Sequence, residues 1–120
     1  MTAPAPEQPL IPQPPATVAA LRQAAAQIAP AALPAFAREL DQAVDQALLG
    51  SDLAPLGRFT SHWSVYVQIQ RGPGLAARFR ELEDLAATGD ATTARDAAAE
   101  LGRILDDARA RCPGPAVGDA

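Results

Sequence analysis

An all-α fold, a small bundle of four to five helices, is predicted by three features of the sequence. Apolar residues recur at three- and four-residue spacing through five stretches, the period of an amphipathic helix. Pro30, Gly50, the Arg71-Gly72-Pro73-Gly74 run, Gly89 and Pro113 divide those stretches where a helix should stop. No segment alternates β-branched and polar residues over a sustained period of two, so no sheet is expected. The bundle is placed at residues 17–112. A Pro-rich leader over residues 1–16 and a short tail over 113–120 are both expected to be disordered.

The leader has six prolines in its first fifteen residues, a density that excludes helix and central strand. It holds one PxxP pattern, Pro9-Leu10-Ile11-Pro12, of the kind that docks into aromatic grooves. Thr17 is the expected N-cap of the first helix, which carries Val18, Leu21, Ala25 and Ile28 on one side and ends before Pro30. The second runs from about Leu33 to Leu49, with Gly50 expected to take the left-handed conformation beyond its end. Its stripe of Leu33, Phe36, Leu40, Ala43, Val44, Ala47 and Leu48 spans an arc of about 140°.

The third helix, residues 53–70, holds the only Trp, Tyr and His of the chain. Ser51 or Asp52 is its expected cap and Pro55 falls in the first turn, where a missing N–H costs nothing. Leu53, Leu56, Phe59, Trp63, Tyr66 and Val67 form one apolar arc. Val65 and Ile69 lie on the far side, next to His62. A helix apolar on two sides is either central in its own domain or half covered by a partner. The fourth helix, Leu75 to about Ala87, turns Leu75, Phe79 and Leu82 inward. The fifth, Thr92 to Arg111 after the cap Asp90, aligns Ala97, Leu101, Leu105, Ala108 and Cys112. The expected core is Leu40, Leu56, Phe59, Trp63, Phe79 and Leu101.

Composition narrows the function. With 48% apolar residues but only 4% aromatic, much of the apolar content is alanine, which buries little area. The net charge is −4, and all ten basic residues are Arg. An acidic balance argues against a protein that coats phosphate backbone and favours a basic protein partner. The one cysteine excludes an intrachain disulfide and fits a reducing cytoplasm. No signal peptide and no membrane span of about 20 apolar residues is expected.

The residues that could carry chemistry read more simply as surface or core. A lone His62 excludes metal sites that need paired imidazoles. Ser61 and Ser64 flank it at helical offsets that point apart, so no nucleophile–base pair forms. The Asp41/Asp45 and Asp106/Asp107 pairs match ordinary solvated faces. The glycines around Pro73 lack the following GK[ST] of a phosphate loop. No catalytic residue, metal or cofactor is expected. Arg71, Arg78 and Arg80 form the densest basic cluster, placed where a helix-turn-helix would want it, but Glu81, Glu83 and Asp84 follow at once.

Three patterns carry a resemblance. They are Ala20-Leu21-Arg22 after a Pro-rich leader, the helix Phe36-x-x-Glu39-Leu40-x-x-Ala43-x-x-x-Ala47, and Asp52-Leu53-x-Pro55-Leu56 followed by Trp63. Over residues 17–85 the chain resembles a family of small actinobacterial proteins, domain-of-unknown-function family 6247. Members of that family often stand beside RelE/ParE-type ribonuclease toxins, so the resemblance implies an antitoxin-like role by association. Ser64-Val65-Tyr66-Val67 stands where that family has Arg residues, and the fifth helix lies outside its pattern.

The expected function is a non-enzymatic protein-binding module, the antitoxin of a pair that masks a basic toxin. Its expected contact residues are Val65, Ile69, His62, Asp41 and Asp45. One alternative is a DNA-binding regulator acting through Arg71, Arg78 and Arg80. The other is a homodimeric bundle with Val65 and Ile69 at its seam.

Overall fold

The structure, a computed structural model, describes residues 8–112. Five α-helices follow one another: α1 Val18–Ile28, α2 Leu33–Gly50, α3 Ala54–Gln70, α4 Pro73–Thr88 and α5 Ala91–Arg111. A 3-10 turn at Pro30–Ala32 links α1 to α2. Among the described residues there is no strand, and the expected all-α bundle is the fold observed. The tail and the first seven residues of the leader lie outside the described residues.

Local chemistry sets the boundaries. The Thr17 hydroxyl accepts the Ala20 N–H at 3.2 Å, and the Asp90 carboxylate accepts that of Thr93 at 2.8 Å. Both satisfy amides that a helix start leaves open. The turn between α2 and α3 differs from expectation. Gly50 stays helical, and Ser51 takes the left-handed conformation at φ 50°. The amides of Ser51 and Asp52 both return to the Ala47 carbonyl, closing α2. Asp52 Oδ1 then accepts the Ala54 N–H at 3.0 Å and starts α3.

α3 is the axis of the molecule, the only helix that contacts all four others. On one side α1, α2 and α3 enclose the main core: Leu21, Ala24, Phe36, Ala43, Phe59, Trp63 and Val67. Phe36 meets Phe59 and Trp63 edge-on, with centroids 4.9 and 5.0 Å apart. Edge-to-face pairs of this kind are worth about 0.5–1.5 kcal/mol beyond their burial. On the other side α4 and α5 pack mainly on each other and meet the other helices only at α3. Of the six expected core residues, Phe59 and Trp63 are fully buried. Leu40 and Leu56 are half-buried against the main cluster. Phe79 and Leu101 are half-buried in the α4–α5 hairpin and take no part in that cluster, because the hairpin does not touch α1 or α2.

Residues 8–16 are the described part of the leader. They lie against α3 as a strap without regular secondary structure. The Leu10 N–H donates to the Arg71 carbonyl at 2.7 Å, and Arg71 Nη1 donates to the Ile11 carbonyl at 3.1 Å. Gln13 Nε2 donates to the Ser64 carbonyl at 3.1 Å, and Ile11 packs on the core. Proline excluded helix here but not docking. A segment with one half-buried isoleucine and a backbone bond to a helix end is held without regular structure of its own.

Candidate functional site

Two surface features stand out, on opposite sides of the α3 axis. The first is the corner where α2 ends. Leu48, Leu49 and Leu53 are 74%, 89% and 75% exposed, and Val44 is exposed beside them. Val44, Leu48, Leu53 and Leu56 line a shallow concavity of about 330 Å³ that Ser51 and Asp52 share. Val44, Leu48 and Leu53 were expected inside. α2 packs chiefly on α3, and of its second half only Ala43 and Ala47 are buried. Asp41 and Asp45 are exposed one turn apart on α2, adjacent to this apolar strip by their three- and four-residue offsets. From Glu39 to Gly57 the chain has four acidic residues and no basic one.

The second feature is a groove of about 1070 Å³ between α3 and the α4–α5 hairpin. Its floor on α3 is small, with Ala54, Gly57, Ser61 and Ser64. Its apolar walls include Val65, Ile69, Phe79 and Leu105, and its charged lining is Arg58, Glu83 and Arg109. Ser64 is 2% exposed and its hydroxyl has no hydrogen-bond partner. A methyl group added to Gly57 would meet nothing within 4 Å.

The structure divides the expected contact residues. Val65 is half-buried and His62 exposed, both on the groove, while Asp41 and Asp45 belong to the corner. Ile69 is corrected: at 3% exposure it is core, because the hairpin packs on α3 at that end. His62 Nε2 lies 3.9 Å from Glu39 Oε1, the same oxygen that accepts the Trp63 Nε1–H at 3.2 Å. No hydrogen bond joins His62 to Ser61 or Ser64. Among the described residues, no three His, Cys, Asp or Glu side chains group where a metal could sit.

The basic cluster does not form a face. The Arg71 side chain is half-buried and bonded to the leader. Arg78 donates to both Glu100 oxygens at 2.9 and 2.8 Å and to Glu81 at 3.1 Å. These bonds hold the Glu100 carboxyl below the usual carboxylate range. Burial raises the Tyr66 phenol, with Arg80 partly offsetting it. Burial also raises the Cys112 thiol, with Arg71 partly offsetting it. Sequence reasoning missed the leucine corner and the small-residue floor. The Glu39–Gly57 stretch without a base was the legible sign of the first, and a glycine inside a helix was the sign of the second.

Among the described residues no helix is long and apolar enough to cross a membrane. No curated protein and no solved structure matches the chain. One family does, over residues 5–110, and it is described as a family of unknown function, DUF6247. The match takes in the docked strap and nearly all of α5, which lay outside the pattern read from the sequence. The chain belongs to the family DUF6247.

Proposed function

We propose that the protein is a non-enzymatic binding module whose α2–α3 corner receives a basic protein partner. One observation carries this reading: an exposed cluster of Val44, Leu48, Leu49 and Leu53 stands in a segment that is acidic and free of bases. Exposed apolar side chains are ordinary when scattered and mark contact surfaces when grouped. Apolar anchors supply binding energy, and the surrounding carboxylates select a basic partner and speed its encounter. Ser51 adds support, since a non-glycine residue in the left-handed region is strained and such strain gathers at functional sites.

The role fits an antitoxin of a cytoplasmic, actinobacterial toxin–antitoxin pair, the basic partner being a RelE/ParE-type toxin. A symmetric homodimer through the same corner is less favoured, because a two-fold axis would set Asp41, Asp45 and Asp52 of both copies against one another. DNA binding is less favoured because Arg71 and Arg78 are already engaged within the chain.

The test is co-expression with the basic protein encoded in the neighbouring reading frame, followed by co-purification. Wild type should retain the partner. Leu48→Ser with Leu49→Ser should lose it while keeping its helical circular dichroism signal, since neither side chain is buried. Asp41→Asn with Asp45→Asn should slow association and weaken its salt dependence. Undiminished capture by the folded double Ser variant would sink the reading.

A further inference from the structure

We infer that residues 8–16 are a lid that opens from α3 while the helices stay folded, uncovering a hydrogen-bonding seam of Ser64, Gln68 and Arg71. This goes beyond the corner reading and uses a different surface. The first observation is the seam itself. Among the described residues the fully buried polar side chains are Ser64 and Gln68, 2% and 9% exposed. They stand one turn apart on α3 and Arg71 follows three residues on, so the three share one face. The strap touches that face at both ends. Gln13 bonds to the Ser64 carbonyl, and Leu10 and Ile11 are bonded at Arg71, with Gln68 between these points.

The second observation is that the closed strap leaves these groups unpaired. The Ser64 hydroxyl, Gln68 Oε1, Arg71 Nε and Gln13 Oε1 are buried without a hydrogen-bond partner, and all four belong to this contact. A buried polar atom without a partner costs free energy that water returns on exposure. Holding the strap in one conformation adds an entropic cost. Against these stand the hydrogen bonds at Leu10, Ile11 and Gln13 and the packing of one half-buried isoleucine. No strap residue is fully buried. Closure is therefore near balance, whereas opening the bundle would expose the aromatic core. The third observation is the hinge. The Thr17 N–H donates to the Pro15 carbonyl at 2.8 Å while the Thr17 hydroxyl caps α1, so the root of the strap stays fixed when the rest leaves. Ala16 and Ser64 both line the groove between α3 and the α4–α5 hairpin. The lid thus forms one edge of that groove, and its opening joins the seam to it.

Native-state hydrogen exchange on the full chain, resolved by residue with NMR, tests this. The Leu10 amide, bonded to the Arg71 carbonyl, reports closure of the strap, and the Trp63 and Val67 amides within α3 report the bundle. Leu10 should be protected only about fivefold, and Trp63 and Val67 about a hundredfold more than that or beyond. Ser64→Ala with Gln68→Met removes two unpaired atoms at similar side-chain volume, so it should raise the protection of Leu10 about tenfold. Ile11→Ser should abolish that protection and keep the helical circular dichroism signal. Equal protection of Leu10 and Val67 would overturn the proposal, because the strap would then leave only when the whole bundle unfolds. So would an unprotected Leu10 in the wild type, unchanged or lowered protection in Ser64→Ala with Gln68→Met, or loss of the helical signal in Ile11→Ser.

Discussion

The Trp63 indole is 3% exposed, meets Phe36 and Tyr66 edge-on at 5.0 and 4.9 Å, and donates its single N–H to Glu39. Few other large side chains stand behind it, because half of the buried apolar residues are alanine. Trp63→Ala should cost about 3–5 kcal/mol, much of the ~5–15 kcal/mol a small domain holds. Urea unfolding followed by circular dichroism checks this, and a midpoint near wild type would contradict it. Asp90 shows a different kind of dependence. Hydrogen bonds from the Thr93 and Thr92 amides hold its carboxyl below the usual range. A depressed carboxyl is charged more readily in the folded than in the unfolded chain. Its stabilisation is complete above about pH 4 and fades as the pH falls through the lower folded value. Asp90→Asn keeps a capping side chain but removes the titration. Melting temperatures measured from about pH 2 to pH 6 should therefore fall less steeply at the acid end for the variant than for wild type.

At the scale of elements, the strap of residues 8–16 has the clearest consequence. It places Ile11 on the core and gives the Arg71 carbonyl, at the end of α3, a backbone partner. Four buried polar atoms without partners, on Gln13, Ser64, Gln68 and Arg71, mark the surroundings of this contact. Its burial therefore stabilises by a modest net amount. Deleting residues 1–15 should lower the melting temperature by about 4–8 °C, the shift that ~1 kcal/mol produces in a domain of this size. An unchanged melting curve would show that the strap contributes nothing to stability. The α2–α3 turn shows how far local reading carries. A turn after Gly50 was legible, but the left-handed residue is Ser51, one position on, because the amide pairing to Ala47 decides which residue bends.

For the whole molecule, the division about α3 predicts unequal stability. The α1–α3 side holds Leu21, Phe36, Phe59, Trp63 and Val67 in one cluster. Within α4 and α5 the fully buried apolar residues are Ala76, Leu82, Ala97 and Ala108, of which only Leu82 is large. Exposed ion pairs such as Arg111–Asp107 add little to the hairpin. Native-state hydrogen exchange should therefore show α4 and α5 opening at lower free energy than the inner turns of α1, α2 and α3. Uniform protection across all five helices would mean that the hairpin and the three-helix core unfold as one unit.

Sequence alone determined the helices, their order and most of their ends. Caps such as Thr17 and Asp90, breakers such as Pro30 and Gly89, and the 3.6-residue recurrence of apolar positions all act within a few residues. It also placed Phe59 and Trp63 in the core and showed α3 to be apolar on two sides, which left open whether the second side met this chain or a partner. Tertiary structure decided which apolar residues neighbouring helices reach. Ile69 was buried where α3 meets the rest of the bundle, while Leu48 and Leu53 stayed outside. It likewise docked the strap and opened the groove over Gly57. Periodicity reports which side chains share a face. What lies opposite that face depends on helices far away in the chain, and no local pattern encodes their distance.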